Sequence, residues 1–541
     1  MRSTATLVCC VLVLATIGPP VAIGQTASAA TAADGPAEPS IHAVYPDPVA
    51  ADDDGEFFVL SVPDGTDIGE YAITDGDGTA GIPNTTARGR VVLSMAPDRT
   101  RGLTDWPVVG LEGHLALANS GERIRLQRAN QTVDAVRYTD AVEGELGVVN
   151  GSVVRWRPLG ATDRPVVRAA GGEVRAFALP DAPAAPVQPI RNATERVYLA
   201  GYTLSSARVA DALIAAQRRG ATVCVLLEGE PVGSRTAAEA STLDRLADAG
   251  VSVRVLTGPR ARYRYHHAKY AVADRQAVVL TENWKPAGTG GNSSRGWGVV
   301  TSQPRVVAGL NRTFQSDAGW QDSRRWQAYR QGRRFERGEP ATGEYPTRFP
   351  AESVSVQRTD LLVTPDNAQG ELVATIDGAD GSIDVIQPTL GDWDSPLLRA
   401  LRRAATRGVE VRLLLSDAWY VREDNEQTAR RFREWAERTD APLSATVADP
   451  DGRYGKIHAK GAVIDDERVV IGSLNWNEQA ATANREVVLV LHGSEAADYF
   501  GAVFDVDWEG GGFDTPVGVL LALLGLLVVA GLAARRVSFE A

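Results

Sequence analysis

The pattern of hydrophobic and polar positions changes along the chain. From residue 41 to about 140, short runs such as EFFVLSV, RVVLSM and RIRLQR are separated by turn residues, which is typical of a β-sandwich. Further on, apolar strands such as RVYLAGYTL alternate with amphipathic helices such as ARVADALIAAQRRG. Alternation of strands and helices predicts an α/β fold, so the chain combines an all-β region with a longer α/β region.

The α/β region contains the same order of elements twice. A strand, a helix ended by Gly220 and a second strand lie in residues 165–320, and the same order, with Gly408 ending the helix, lies in residues 351–508. Glycine after a basic last turn is a common helix stop. The copies also close alike, in FQSDAGW and FDVDW. We therefore predict two pseudo-symmetric α/β/α sandwich units, unit 1 (165–320) and unit 2 (351–508).

One short motif occurs once in each unit. HAKYAVAD spans residues 267–274, and HAKGAVID spans residues 458–465. In a strand, residues two apart share a face, so each histidine points into the same space as the lysine that follows it. The candidate catalytic residues are His267, Lys269, Asp274, His458, Lys460 and Asp465.

The doubled motif has a chemical explanation. Imidazole can attack phosphorus or carry protons near neutral pH, and a nearby ammonium can neutralise phosphoryl oxygens. Two copies packed face to face would place a histidine on each side of a bound phosphodiester. One could attack while the other protonates the leaving oxygen and then activates water. Lysines and hydrogen-bond donors would hold the charge, so we expect neither metal nor cofactor.

These residues resemble the phospholipase D superfamily of two-HKD phosphodiesterases. In unit 2 the motif is followed by GSLNW (472–476) and NREVVLVL (484–491). The resemblance implies a covalent phosphohistidine intermediate, with His267 as nucleophile and His458 as acid and base. It also implies that the motif aspartates mainly support the local fold. Substrate-binding roles are implied for Asn283, Ser473, Asn475 and Glu486, and both motif lysines would hold phosphate oxygens.

Unit 1 departs from this family pattern. TEN (281–283) stands where unit 2 has GSLN; it is one residue shorter and lacks the small Gly-Ser pair. SRGWGVV (294–300) replaces NREVVLV, so Gly296 or Trp297 stands in place of Glu486. In several members of the family that carboxylate orients a histidine of the opposite half. Glu486 would then orient His267 and leave His458 without such a group, and an unpaired Glu282 would repel the phosphate. A degenerate site that only binds stays open as an alternative.

Both ends of the sequence are hydrophobic. Residues 1–30 resemble a secretory signal, with an uncleaved anchor as the alternative. Residues 516–534 carry no charge over 19 residues, which is enough to span a bilayer as one helix. Arg535 and Arg536 follow, and the positive-inside tendency places them in the cytoplasm. We therefore expect a single-pass protein of the cell membrane with the bulk of the chain extracellular.

The β-rich region has a resemblance of its own. GEFFVLSVPDGTDIGEYAITDGDG, LALANSGERIRL and VDAVRY resemble the lamin-tail domain, an immunoglobulin-like sandwich that accompanies secreted or surface hydrolases. We assign it residues 40–145. This region carries no catalytic residues, so a spacer or adhesion module is expected.

Composition narrows the choice of partners. There are 68 Asp and Glu against 56 Lys and Arg, a formal charge of −12, which argues against a dedicated nucleic-acid binder. All but four of the cationic side chains are arginines; the lysines are Lys269, Lys285, Lys456 and Lys460. A lysine retained in such a chain suggests a need for a compact ammonium group. Acidic, lysine-poor chains resemble those of halophilic archaea.

The sequence therefore predicts a membrane-anchored extracytoplasmic phosphodiesterase that acts as a monomer, because both half-sites lie in one chain. Its substrate would be a phospholipid headgroup or a nucleic acid, cleaved by hydrolysis or with transfer to an alcohol. Anchoring near lipid favours the first substrate and the lamin-tail neighbour favours an extracellular nuclease. The other alternative is a catalytically degenerate surface binding or adhesion protein.

Overall fold

The computed structural model describes four ranges of the chain: 38–48, 53–258, 261–338 and 340–510. The predicted signal segment (1–30) and the predicted membrane span (516–534) lie outside these ranges. Within the described ranges, no helix has the length and apolar character needed to cross a bilayer. Both end segments therefore stay predictions.

The first region consists of two β-sheets that pack on each other. One sheet has six strands in the order β11-β10-β1-β2-β5-β6, and the other has five in the order β7-β4-β3-β8-β9. The elements are β1 (Ser40–Tyr45), β2 (Phe57–Asp67), β3 (Tyr71–Thr74), β4 (Thr79–Gly81), β5 (Thr86–Ser94), α1 (Pro97–Thr100), β6 (Val108–Gly110), β7 (Glu112–His114), β8 (Arg123–Arg128), β9 (Gln131–Arg137), β10 (Glu145–Asn150) and β11 (Val153–Pro158). Inward residues of both sheets, such as Leu60 and Ile124, share one core. The β region thus extends past residue 145 to Pro158, and its lamin-tail identity stays a prediction.

Unit 1 alternates strands and helices. Its elements and the short connector that follows are β12 (Val167–Leu179), α2 (Gln188–Asn192), β13 (Arg196–Gly201), α3 (Ala207–Arg218), β14 (Thr222–Glu228), α4 (Ala237–Asp248), β15 (Ser252–Leu256), β16 (Tyr270–Ala273), β17 (Gln276–Leu280), β18 (Ser294–Thr301), α5 (Pro304–Gly319), β19 (Ser323–Arg325) and α6 (Trp326–Arg330). Gly220 follows α3 at φ 95°, the left-handed conformation that glycine adopts readily at a helix end.

Unit 2 repeats the plan. Its elements are β20 (Glu352–Val363), α7 (Ala368–Asp377), β21 (Ser382–Gln387), α8 (Pro396–Thr406), β22 (Glu410–Leu415), α9 (Arg422–Thr439), β23 (Leu443–Val447), β24 (Lys456–Ile457), β25 (Gly461–Ile464), β26 (Arg468–Gly472), α10 (Glu478–Thr482), β27 (Val487–His492) and α11 (Ser494–Glu509). Gly408 follows α8 at φ 97°, which matches the predicted helix stop in both copies.

The two units join in one mixed sheet of 16 strands. The order is β19-β15-β14-β13-β16-β17-β18-β12-β20-β27-β26-β25-β21-β22-β23, with β24 paired to β18. The long strands β12 and β20 pair antiparallel at the centre, so the order of strands on one side of this seam mirrors the order on the other. The α/β architecture is therefore two copies of one plan that share a sheet.

Both units also share a hydrophobic core. Residues of α5 and α11 pack with strands of both units in one cluster, and the rings of Trp297 and Phe500 lie 4.9 Å apart within it. Separate outer cores lie under α3 and α4 in unit 1 and under α8 and α9 in unit 2. Each sheet half therefore lies between the shared core and its own outer helices, and the shared core fixes how the units face each other.

Candidate active site

The two histidine motifs lie where the units meet. Neither HAK triplet is part of a regular strand; each directly precedes one, β16 in unit 1 and β25 in unit 2. The backbone N–H of His267 donates to the carbonyl of Arg485 at 2.9 Å, and that of His458 donates to the carbonyl of Arg295, also at 2.9 Å. Each motif is thus held by an arginine of the opposite unit.

These two arginines were missed by the sequence analysis. Both are fully buried. Arg295 pairs with Asp181 at 2.5 Å and with Asp507 at 2.7 Å, and Arg485 pairs with Asp317 at 3.1 Å. Because Asp507 and Asp317 each belong to the opposite unit, the ion pairs join the units directly behind the motifs. Placing SRGW over NREV in the sequence would have revealed the matching arginines.

His267 has a carboxylate partner from unit 2. Its Nδ1 lies 2.9 Å and 3.0 Å from the two carboxyl oxygens of Glu486, and Asn484 donates to the same carboxylate at 3.1 Å. Burial would raise the pKa of Glu486, but His267 and Lys269 outweigh it and lower that pKa. An ionised carboxylate only accepts hydrogen bonds, so the ring carries its proton on Nδ1 and leaves Nε2 as a nucleophile.

His458 also has a carboxylate neighbour, contrary to expectation. Its Nδ1 lies 3.3 Å from an oxygen of Glu282, which belongs to unit 1 and is 2% exposed. The same Nδ1 lies 3.2 Å from the ammonium of Lys460. From the sequence, His458 was expected to lack a neighbouring carboxylate, and Glu282 was expected to repel the phosphate unless paired. The first expectation was wrong, because strand pairing brings Glu282 to the histidine.

The pairing of the strands corrects the comparison of TEN with GSLN. Leu280 pairs with Gly298 and Gly472 pairs with Val488, and these are equivalent points of the two units. Thr281 therefore takes the place of Ser473, and Glu282 the place of Leu474. The missing residue lies in the preceding turn, which has two residues in unit 1 and three in unit 2.

Ser473 and Thr281 perform the same backbone task. Ser473 Oγ accepts from the N–H of Val487 at 3.0 Å, and Thr281 Oγ1 accepts from the N–H of Trp297 at 3.0 Å. Both hydroxyl groups are fully buried. The structure thus places Ser473 between the strands that carry the site, rather than on its solvent side.

Three of the four lysines of the chain act on Glu282 in the site, and the fourth, Lys285, lies near one of them. Burial raises the pKa of Glu282 to about 7, although the positive charges of Lys460, Lys456 and Lys269 act to lower it. Lys285 in turn is close enough to Lys456 for its pKa to be lowered by it, after the larger effect of burial. Outside these positions every cation is arginine, so the few lysines were a stronger signal than the sequence analysis recognised.

The two imidazoles share one electrostatic environment. Burial lowers the pKa of His267 to about 4, against the opposing effect of Glu486. Burial, followed by Lys460, Lys269 and Lys456, lowers the pKa of His458 well below its usual value, and His267 adds to this lowering. Both rings are therefore neutral at pH 7 before an anion binds, which suits a nucleophile and a base.

The motif aspartates lie at the other end of their strands. Asp274 accepts from the backbone N–H groups of Thr194, Glu195 and Arg196 at 2.8 to 2.9 Å. Asp465 accepts from the amides of residues 380–382 at 2.7 to 3.1 Å. Both residues have φ above 50°, a conformation that Asp tolerates better than most residues. In these positions they fasten a turn to the neighbouring strand and do not contact either imidazole.

The remaining predicted residues lie beside the histidines. Asn283 and Asn475 occupy equivalent half-buried positions after β17 and β26. Lys269 is fully buried and donates to the carbonyl of His267 at 2.6 Å, and Lys460 donates to that of His458 at 2.6 Å. Each lysine therefore lies directly against its own histidine.

A cavity of about 770 Å³ lies between the β region and the segment that precedes the first motif, and neither motif histidine lines it. Its lining includes Trp156 and Arg157 of the β region and Arg264, Tyr265 and His266, which precede the first motif histidine. The β region thus supplies part of the wall of this cavity.

Comparison with known proteins agrees with the repeat. Residues 187–318 and 372–508 each match the family model described as cardiolipin synthase, PLD-like domain. Mouse (Mus musculus) mitochondrial cardiolipin hydrolase is 32% identical over 118 residues, which are 22% of this chain and 48% of that protein. Phospholipase D of Rickettsia bellii is 29% identical over 148 residues, 27% of this chain and 67% of that protein. The chain spans about half the length of the mouse relative.

A solved structure also resembles part of the chain. The crystal structure of phosphatidylserine synthase from Haemophilus influenzae Rd KW20 has a TM-score of 0.45 and 14% identity, covering 61% of this chain and 84% of that one. The family model describes both matched ranges as phospholipase D-like domains, whereas each of these curated relatives aligns with no more than 148 residues of the chain. They support an enzyme of the phospholipase D-like hydrolase or transferase class.

Proposed function

We propose that the two phospholipase D-like domains of this chain form one phosphodiesterase active site, in which each domain supplies the histidine for one side of the phosphorus. The proposal rests on a pair of matching hydrogen bonds between the units. The backbone N–H of His267 donates to the carbonyl of Arg485, and that of His458 donates to the carbonyl of Arg295. The backbone N–H of each histidine is bonded by the opposite unit, so the site needs both units packed together.

In the first step, Nε2 of His267 attacks phosphorus. A P–N bond forms while the P–O bond to the leaving group breaks, and its electron pair goes to the leaving oxygen. Binding of the anionic phosphodiester favours protonation of His458, and the imidazolium then gives its proton to the leaving oxygen and becomes neutral. Glu486 stabilises the positive charge that develops on the attacking ring, because its carboxylate contacts Nδ1. The ammonium groups of Lys269 and Lys460 neutralise the other phosphoryl oxygens.

In the second step, His458 takes a proton from water. The water oxygen forms a bond to phosphorus, the P–N bond breaks, and its electron pair returns to Nε2 of His267. An alcohol in place of water would give transfer instead of hydrolysis. The proposed intermediate is a phosphohistidine at His267, formed without metal or cofactor.

The substrate class we propose is a phosphodiester of a phospholipid headgroup or of a nucleic acid. Trp419 is 89% exposed and Tyr420 is 52% exposed, and the hydroxyl of Tyr420 lies 3.1 Å from Lys456 near the site. Exposed aromatic rings beside a cation suit the headgroup region of a bilayer. They would also stack on bases, which keeps an extracellular nuclease as the second candidate.

For location, we propose a single-pass protein of the cell membrane whose bulk is extracellular. The uncharged segment 516–534 and the arginines after it support this orientation. Protease treatment of intact cells that express the full chain should digest residues 38–510, whereas a cytoplasmic control protein stays whole. Protection of those residues would contradict the orientation.

The activity is tested with the full chain and two variants, His267→Asn and His458→Asn. Bis(p-nitrophenyl) phosphate, phosphatidylcholine vesicles and single-stranded DNA serve as substrates, in high salt with and without chelator. We expect hydrolysis that resists chelator and is lost in both variants. Activity that survives both substitutions would disprove the site, and binding without hydrolysis of any substrate would favour the adhesion alternative.

A further inference from the structure

The two units carry their site carboxylate on different strands. In unit 2, Glu486 immediately precedes β27, and the apolar Leu474 follows β26. In unit 1, the position equivalent to Glu486 is Gly296 in β18, and Glu282 stands where Leu474 stands. The strand register therefore shows that each unit has one carboxylate at these two equivalent positions. In unit 2 it lies immediately before β27, and in unit 1 it lies after β17, the strand next to β18.

The two differences in unit 1 depend on each other sterically. A Cβ atom added to Gly296 would lie 2.2 Å from Cγ of Glu282 and 2.8 Å from one of its carboxyl oxygens. The side chain of Glu282 thus fills the volume that a side chain at residue 296 would need. Leu474, in contrast, packs in the outer core of unit 2 and leaves room for Glu486. A glutamate placed as Glu282 is here therefore requires a glycine at 296.

We propose that Glu282 is the positioning residue for His458, and that it performs from the neighbouring strand the task that Glu486 performs for His267. The proposal rests on the phosphodiesterase function above and deepens it. Unit 1 has therefore not lost the family's orienting carboxylate but carries it at a different place in the sequence.

The chemistry of Nδ1 explains what Glu282 does. Two groups face this nitrogen of His458: the carboxylate of Glu282 at 3.3 Å and the ammonium of Lys460 at 3.2 Å. Lys460 can only donate, so it favours the neutral ring. Glu282 accepts from a protonated Nδ1, so it favours the imidazolium that must give its proton to the leaving oxygen. Glu282 also turns Nε2 toward the phosphorus, because Nδ1 is fixed.

The first test compares Glu282→Gln with the wild-type full chain on bis(p-nitrophenyl) phosphate and on a dialkyl phosphodiester. p-Nitrophenolate leaves without a proton, so the variant should still release about one equivalent per enzyme in a fast burst. Steady-state turnover, which needs His458 as base, should fall on the order of 10²-fold. Cleavage of the dialkyl ester, whose leaving oxygen needs a proton from His458, should fall by a similar factor and show no burst. Glu437→Gln, which removes an exposed carboxylate, is the matched control and should behave as wild type.

The second test exchanges the pair. Glu282→Leu should lose turnover as Glu282→Gln does, and adding Gly296→Glu to Glu282→Leu recreates the arrangement of unit 2. The double variant should recover at least tenfold over Glu282→Leu. Should the double variant not fold, judged by its thermal unfolding, the near-isosteric Glu282→Gln still decides the question.

Two results would overturn the proposal while leaving the function intact. One is wild-type turnover in Glu282→Gln when His458→Asn is inactive. The other is an equal loss of burst and turnover in Glu282→Gln, since a group that acts through His458 spares the burst. Full activity in His267→Asn would instead remove the phosphodiesterase function itself.

Discussion

The two units share one backbone plan and differ in how strongly each holds its histidine. His267 faces a fully buried carboxylate through two contacts of 2.9 and 3.0 Å, and a second side chain fixes that carboxylate. Nδ1 of His458 has one carboxylate contact of 3.3 Å, the ammonium of Lys460 faces the same nitrogen at 3.2 Å, and 21% of the side chain is exposed. The tighter environment suits a nucleophile that must not move, and the looser one suits a group that exchanges protons with the leaving oxygen and with water.

The largest expected effect separates the two histidines. His267→Asn should lower kcat by roughly 10⁴-fold or more and abolish the burst of p-nitrophenolate, because no P–N bond can form. His458→Asn should keep the burst and accumulate a phosphoenzyme. Mass spectrometry of the quenched protein should find the acid-labile phosphoryl group on His267. A phosphoryl group on His458 would reverse the assignment of the two units.

The next effect concerns the carboxylate of unit 2. Glu486→Gln should reduce both burst and turnover by about 10³-fold to 10⁴-fold, because the amide can present a donor to Nδ1 and favour the wrong tautomer of His267. Stopped-flow measurement of p-nitrophenolate release gives both phases. A burst as fast as that of the wild type would show that Glu486 does not act on the attacking ring.

A third comparison concerns the buried arginines behind the motifs. Arg485→Leu should destabilise the fold by about 3 to 5 kcal/mol, because it removes the nearest cation of the buried Asp317, which Arg262 and His266 approach only to 3.9 and 3.7 Å. Arg295→Leu should cost somewhat less, since its described contacts are fewer. Urea unfolding measures both. Arg208→Leu at an exposed position is the control, and we expect a change within about 0.5 kcal/mol. Equal stability of Arg485→Leu and the control would show that this cluster does not hold the units together.

The smallest expected effect is a pH dependence of activity that arises from Glu282 of unit 1. Burial raises the pKa of Glu282 to about 7 against the opposing influence of Lys460, Lys456 and Lys269. The carboxylate is ionised above that pH and protonated below it, so activity on the dialkyl ester should fall by about tenfold per pH unit as pH decreases below 7. Glu282→Gln should lack this limb, and Glu437→Gln should retain it. A limb of unchanged position in Glu282→Gln would assign it to another group.

Much of the architecture was readable from local pattern. The glycine stops after α3 and α8, the strand and helix alternation, and the repeat itself follow from periodicity and backbone preference, which act over a few residues. The two HAK motifs and the scarcity of lysine pointed to His267 and His458. The joining of the units in one sheet could not be read in this way, because it depends on the long-range pairing of β12 with β20.

The sequence by itself determined which chemical groups the two motifs supply: one histidine in each, a lysine beside each histidine and one obvious carboxylate at Glu486. Only the tertiary structure decided which carboxylate contacts which histidine. A turn shorter by one residue shifted the comparison of the copies and hid the position of Glu282. Contacts such as that between His267 and Glu486 join residues 219 apart in sequence. Strand register and the packing of one unit on the other create these neighbours, and neither is encoded in local periodicity.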